Sequence, residues 1–211
     1  MNTRNLLRLA IIAAAAFTAA VGTVALWPRP DAPPVPGQPG GEREANLLGG
    51  AFTLTDQNGV RRSDSEFRGK HMLVFFGFVN CPDFCPTALY TISQAMEKLG
   101  ADADRFVPVF ISVDPERDTP ETLKNYAQNF DKRVVMLTGT PAEIAAVAKA
   151  YRVYYAKRQQ EKTGTYTMDH SVFIYLMDPA GKFVTHFRHA VPPDDLAAAL
   201  KKRLSAASGQ N

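Results

Sequence analysis

Apolar residues along this chain gather in four dense blocks, each with the length of a buried strand. Met72–Val79 reads MLVFFGFV without a break, as expected of a strand covered on both faces. Phe106–Val113 is the second, and its ladder is expected to begin after Pro108, which has no N–H to donate. Val134–Leu137 and Val172–Met177 are the third and fourth. Phe183–Phe187 is placed to pair with the fourth through the turn Asp178-Pro179-Ala180-Gly181.

Between these blocks the apolar spacing changes from strand to helix. Ala88, Leu89, Ile92, Met96 and Leu99 follow a 3.6-residue period after Cys85. Thr119-Pro120-Glu121 reads as a helix start, with Thr as N-cap, Pro at the first position and Glu favoured by the dipole. Thr140-Pro141-Ala142-Glu143 repeats this and adds a capping box through Glu143. Pro192–Leu204 is a last amphipathic helix. The order is β-α-β-α-β-α, then a hairpin and a helix. That predicts an α/β fold with a mostly parallel central sheet and an added antiparallel hairpin.

The N-terminal quarter follows neither period. Arg4 and Arg8 precede an uncharged run of 19 residues from Leu9 to Trp27. As a helix it would measure roughly 28 Å at ~1.5 Å per residue, about enough for a bilayer core of ~30 Å. The flanking arginines place the N-terminus in the cytoplasm and the rest outside, with Trp27 in the interfacial belt. A cleaved signal peptide is the competing reading, with small residues at Ala14-Ala15-Ala16. Only eight residues precede the run, too few for a mitochondrial presequence. The expectation is therefore a single-pass protein of a bacterial inner membrane with its domain facing the periplasm. Residues 28–50 hold six prolines and five glycines, a composition that builds a tether rather than a core. The division is thus 1–27 anchor or signal peptide, 28–50 linker, 51–205 folded domain and 206–211 flexible tail.

Composition then narrows the chemistry. The 211 residues carry 24 basic and 21 acidic side chains, a surplus too small to argue for nucleic acid. Two cysteines exclude a disulfide scaffold and a four-cysteine zinc or iron–sulfur site within one chain. They lie together in Cys81-Pro82-Asp83-Phe84-Cys85-Pro86, between the first core strand and the first helix. Pro86 suits the first helical position, which puts Cys85 at the N-cap, where amide N–H groups and the dipole favour a thiolate. The carboxyl end of a parallel strand is also where α/β folds place sites. A structural disulfide across so short a loop would contribute little. Three residues intervene between the cysteines, against two in thioredoxin-type dithiols, and this lets both sulfurs turn toward a shared ion.

Four histidines are candidates to join them: His71, His170, His186 and His189. His71 opens the first strand. His186 and His189 stand three apart on a strand and point to opposite faces. His170, in Asp169-His170-Ser171, precedes the fourth strand after a polar, glycine-containing stretch. A lone histidine there is more often structural than a ligand. If it does join the thiolates, two sulfurs and one nitrogen suit copper better than zinc, which usually takes a fourth protein ligand in a structural site.

Three segments together resemble the Sco (SenC) family of copper-binding proteins that assist assembly of the dinuclear copper site of cytochrome c oxidase. They are Cys81-Pro82-Asp83-Phe84-Cys85-Pro86, Ser112-Val113-Asp114-Pro115-Glu116-Arg117-Asp118-Thr119-Pro120, and Asp169-His170-Ser171. The resemblance covers about residues 50–205 and the N-terminal anchor. It implies a thioredoxin-like fold with an inserted β-hairpin, and Cys81, Cys85 and His170 as ligands of a copper ion, Cu(I) or Cu(II). It also implies the copper-site subunit of cytochrome c oxidase as partner, beside a periplasmic copper donor or thiol reductase. Val79-Asn80 departs from the Thr-His that relatives often show before the first cysteine, removing one nearby nitrogen. Asp114 either faces the site from behind the ligands or organises its own turn with Arg117.

The leading expectation is a membrane-tethered copper chaperone in which Cys81 and Cys85 also form a redox pair. The alternative is a thiol–disulfide reductase that prepares target cysteines before metallation. A thiol peroxidase is a third reading, though the paired thiols at a helix start fit metal binding or disulfide exchange better.

Overall fold

The computed structural model describes residues 48–160 and 164–208. The proposed anchor and nearly all of the linker lie outside these residues. Among the described residues no helix is long and apolar enough to cross a membrane.

In chain order the elements are β1 (Thr53–Asp56), β2 (Arg61–Ser63), β3 (His71–Gly77), α1 (Phe84–Leu99), β4 (Phe106–Ser112), α2 (Pro120–Ala127) and β5 (Val135–Thr138). Then come α3 (Pro141–Ala150), β6 (Tyr155–Gln160), β7 (Thr165–His170), β8 (Phe173–Met177), β9 (Phe183–Arg188) and α4 (Pro193–Ser208). Seven strands form one mixed sheet in the order β2-β1-β5-β4-β3-β8-β9. β3, β4 and β5 are parallel, while β8 joins β3 and β9 joins β8 antiparallel. β6 and β7 pair only with each other, as a separate two-stranded sheet.

Burial explains the centre. Every residue of β3 is buried, so both faces of the sheet are covered there, as its unbroken apolar run requires. α1 turns Ala88, Leu89, Ile92, Met96 and Leu99 into the core and packs on α4. Thr119 and Thr140 cap α2 and α3 as their sequences predict, with the reciprocal capping box present at Thr140 and Glu143. The fold is thus the α/β, thioredoxin-like class expected, but the sheet is mixed rather than mostly parallel, because only β3–β4 and β4–β5 pair parallel and the strands added at both edges run antiparallel.

The differences have local causes. β4 begins at Phe106 and includes Pro108, which pairs with Leu73 of β3. β5 reaches only as far as Val109, so no β5 partner waits for the missing N–H. β3 stops at Gly77, which frees Phe78, Val79 and Asn80 for the loop that leads to the cysteines. β1 has four residues and β2 three, too short for a periodicity to announce them. Packing begins slightly before residue 51, because Leu48 touches the core and Gly49 N–H donates to the Ala150 carbonyl at 2.9 Å. α4 runs on to Ser208, three residues into the stretch read as a tail.

Candidate metal centre

The site forms where β3 ends and α1 begins. Cys81 lies in the connecting loop, and its N–H donates to the Phe78 carbonyl at 3.3 Å. α1 starts two residues earlier than its sequence indicates. Asp83 is the N-cap, Phe84 the first helical residue and Cys85 the second. The helix N-terminus therefore acts on the other sulfur: Cys85 N–H donates to Cys81 Sγ at 3.4 Å.

That placement divides the two thiols. Cys81 is 8% exposed and Cys85 fully buried. The Cys85 thiol hydrogen-bonds to Cys81 and pulls it down to about 4, helped by His170 and by backbone N–H groups. The same bond, with burial and the neighbouring charge, pushes Cys85 well above the ordinary thiol range. The easily ionised sulfur is thus Cys81, and the expectation of a thiolate favoured at Cys85 is corrected. Both cysteines are free thiols in this structure.

Glycine makes room for the buried sulfur. A Cβ on Gly77 would fall 2.7 Å from Cys85 Sγ and 2.8 Å from the Phe110 ring. In the sequence Gly77 sits inside the apolar run MLVFFGFV, and no spacing argument singles it out.

His170 arrives from the far side, at the end of β7 rather than at the entrance to β8. Its Nε2 lies 3.4 Å from Cys85 Sγ, and its Nδ1 lies 2.9 Å from the Ser171 carbonyl. A carbonyl only accepts, so Nδ1 carries the proton and Nε2 presents its lone pair to the sulfurs. Phe78 and Phe75 meet the imidazole edge-on at 5.7 and 6.2 Å. The ligand atoms of Cys81, Cys85 and His170 all lie within 4.8 Å of one another. Among the described residues these three are the one His/Cys/Asp/Glu group arranged to hold an ion. Cys81 and His170 open on a cleft of about 550 Å³ lined also by Phe78, Phe84, Met168 and Val172, with Cys85 buried behind them.

The other histidines stand apart from that cluster. His71 is buried at the opposite end of β3, against Phe106 at 5.2 Å. His186 contacts Phe173 and Phe183 on the hairpin. His189 meets the exposed ring of Phe84 at 4.8 Å. Asn80 is exposed.

The second signature segment surrounds the site without supplying a ligand. Asp118, 1% exposed, accepts from Ser112 Oγ at 2.6 Å and from Val79 N–H at 3.0 Å. It thereby fixes the residue two before Cys81. Burial pushes its carboxyl up to about 6. Asp114, 2% exposed, spends its carboxylate on Arg117 and on the Tyr166 hydroxyl. In the sequence Asp118 is one position of the second signature segment with nothing to mark its role, and Tyr166 carries no signal at all.

A mixed sheet with a dithiol at a strand-to-helix junction, met by an imidazole from an inserted hairpin, defines a thioredoxin-like domain with a thiol–imidazole metal site. A family model described as SCO1/SenC matches residues 40–205, and the chain belongs to that family. A human relative, Protein SCO1 homolog, mitochondrial, is 39% identical over 156 residues, which is 73% of this chain and 52% of the relative. The chain thus spans about half the length of that relative. The solved structure of Bradyrhizobium japonicum ScoI with copper bound is 51% identical, with a TM-score of 0.69, covering 74% of this chain and 98% of that one. BsSco, in a structure described as identifying a disulfide switch in a member of the Sco family of cytochrome c oxidase assembly proteins, is 27% identical with a TM-score of 0.58. That match covers 74% of this chain and 93% of that one.

Proposed function

We propose that this protein is a copper chaperone for the dinuclear copper site of cytochrome c oxidase, holding one copper ion between Cys81, Cys85 and His170. The observation that carries this reading is the convergence of two sulfurs and one imidazole nitrogen within 4.8 Å. Thiolates are soft donors that favour Cu(I), and imidazole accepts either copper state. The relative solved with copper bound supports the choice of metal.

The residues divide the work of binding and release. Cys81 supplies a ready thiolate, and Cys85 gives up its proton as metal enters. His170 closes the set through Nε2. Three ligands leave one side open to the cleft, where ligands of a target can replace them one at a time. Oxidation of Cys81 and Cys85 to a disulfide would remove both sulfur donors. The target is the copper-site subunit of the oxidase, and a periplasmic donor or thiol reductase would supply copper or keep the pair reduced. The uncharged run Leu9–Trp27 and the proline-rich segment behind it support a tether in the bacterial inner membrane, with the domain on the periplasmic side.

A second reading, a thiol–disulfide reductase acting on target cysteines before metallation, is favoured by one feature. Cys81 has the low pKa and Cys85 the adjacent resolving thiol that disulfide exchange needs. One comparison separates the two. The reduced full-length protein is expected to bind one copper per chain, and Cys81→Ser or Cys85→Ser to abolish it. His170→Ala should lower copper affinity severely while leaving dithiol reductase activity intact. Unchanged copper binding in both serine variants would end the chaperone reading.

A further inference from the structure

The hairpin that delivers His170 meets the core through one buried side chain, Met168, and two partly buried ones, Tyr155 and Tyr166. β6 and β7 make their own two-stranded sheet, and such a pair is at best marginally stable alone. Within its two strands only Met168 is buried. Something else must set where it lies.

Alternate residues of a strand share a face, so Tyr166, Met168 and His170 line one face of β7. Tyr166 and His170 are about 13 Å apart at ~3.3 Å per residue. Met168 and His170 border the copper cleft, while Tyr166 is gripped by the loop between β4 and α2. Its hydroxyl donates to Asp114 Oδ1 at 2.9 Å. Arg117 Nε donates to Asp114 Oδ2, and Arg117 Nη1 donates to the Tyr166 carbonyl at 2.9 Å. The guanidinium carbon lies 3.7 Å from the centre of the Tyr166 ring. Lys157 of β6 adds an ion pair to Glu116 at 2.7 Å and sits 4.2 Å from the same ring centre.

The same loop reaches the other ligand carrier. Ser112 Oγ accepts from Asp114 N–H at 3.0 Å and donates to Asp118, which in turn accepts from Val79 N–H ahead of Cys81. One short loop therefore holds the cysteine loop through Asp118 and the histidine strand through Asp114 and Arg117.

We propose that Asp114, Arg117 and Tyr166 are positioning residues for His170, and that the Ser112–Asp118 loop is the bracket that decides whether the site has three ligands or two. The inference rests on the copper reading above. Losing the Asp114 and Arg117 contacts to Tyr166 frees β7 from this loop and lets the imidazole at its end withdraw, while Asp118 keeps its hold on Val79. The sulfurs stay, because α1 and the end of β3 hold them independently of the hairpin. The pairing of Asp114 with Tyr166 thus acts on the metal only through His170.

A double-mutant cycle on the full-length protein tests this. Copper affinity is read by competition with a chelator of known strength. Tyr166→Phe is expected to weaken copper roughly tenfold, as for a lost hydrogen bond to a charged group, and to change nothing further in a His170→Ala background. In the Cu(II) form the sulfur-to-copper absorption should persist in Tyr166→Phe while the nitrogen coupling in the electron paramagnetic resonance spectrum fades. Arg117→Lys keeps the charge but loses the planar fork, and should give the same pattern if Tyr166→Phe folds poorly. Equal losses with and without His170, or no loss with His170 present, would overturn the bracket. Wild-type protein that takes up no copper would overturn the copper reading instead.

Discussion

Asp118 shows how one buried side chain can be structural and pH-sensitive at once. It receives two hydrogen bonds, but burial outweighs them and raises its carboxyl to about 6. An acid whose folded pKa lies above its unfolded value binds more protons when folded. Its contribution to stability is therefore full at low pH and is lost as pH rises from about 4 to about 6. Asp118→Asn keeps an acceptor for Ser112 and Val79 but cannot ionise. Urea unfolding from pH 4 to pH 7 should show the wild type losing stability relative to Asp118→Asn across that window, with no further divergence above it. Gly77 is the complementary case: it matters for a side chain it lacks, since Cys85 Sγ occupies that space.

At the level of helices and strands, local chemistry and packing contribute separately. The Thr140 cap works as its sequence pattern implies: Thr140 Oγ1 accepts from Glu143 N–H at 3.3 Å, and Glu143 Oε2 accepts from Thr140 N–H at 2.7 Å. Arg61 reaches the same carboxylate at 2.6 Å, and together these hold Glu143 at about 2. Thr140→Ala should cost about 1 kcal/mol, a fall of roughly 2–4 °C in Tm for a domain this size. Copper binding should be unchanged, because α3 contributes no ligand. α1 has no such side-chain cap. Its first turn is placed by burial of Cys85, Ala88 and Leu89, and its free amide is spent on Cys81. This is why the helix start falls two residues from where Pro86 alone would put it.

For the molecule as a whole, the site joins parts that are far apart in sequence. Cys85 and His170 are separated by 85 residues, so an ion bound to both links the hairpin to the sheet. Binding to the folded state alone stabilises it by about 2.7 kcal/mol when free metal is a hundredfold above Kd. Saturating copper should therefore raise the melting temperature of the reduced full-length protein by several degrees. It should leave Cys85→Ser unmoved, as differential scanning calorimetry would show. An equal rise in both would place the stabilising metal elsewhere.

Strongly periodic segments were legible from the chain because their physics is local. An unbroken run such as MLVFFGFV must be buried on both faces, and Thr-Pro-x-Glu caps its own helix. The paired cysteines were legible for the same reason, being four residues apart at a strand-to-helix junction. β6 and β7 were not, because YAKRQQ alternates nothing and is held as a strand by its partner and by the Lys157–Glu116 ion pair, while β7 is held through Tyr166 to Asp114. The chain's pattern therefore settled the class of fold and the presence of a dithiol. The Asp169-His170-Ser171 segment named the histidine only through its family resemblance; which sulfur ionises and what holds that histidine depended on long-range contacts. Burial, hydrogen bonding to a sulfur and the reach of a hairpin are properties of neighbours in space, which no periodicity along the chain encodes.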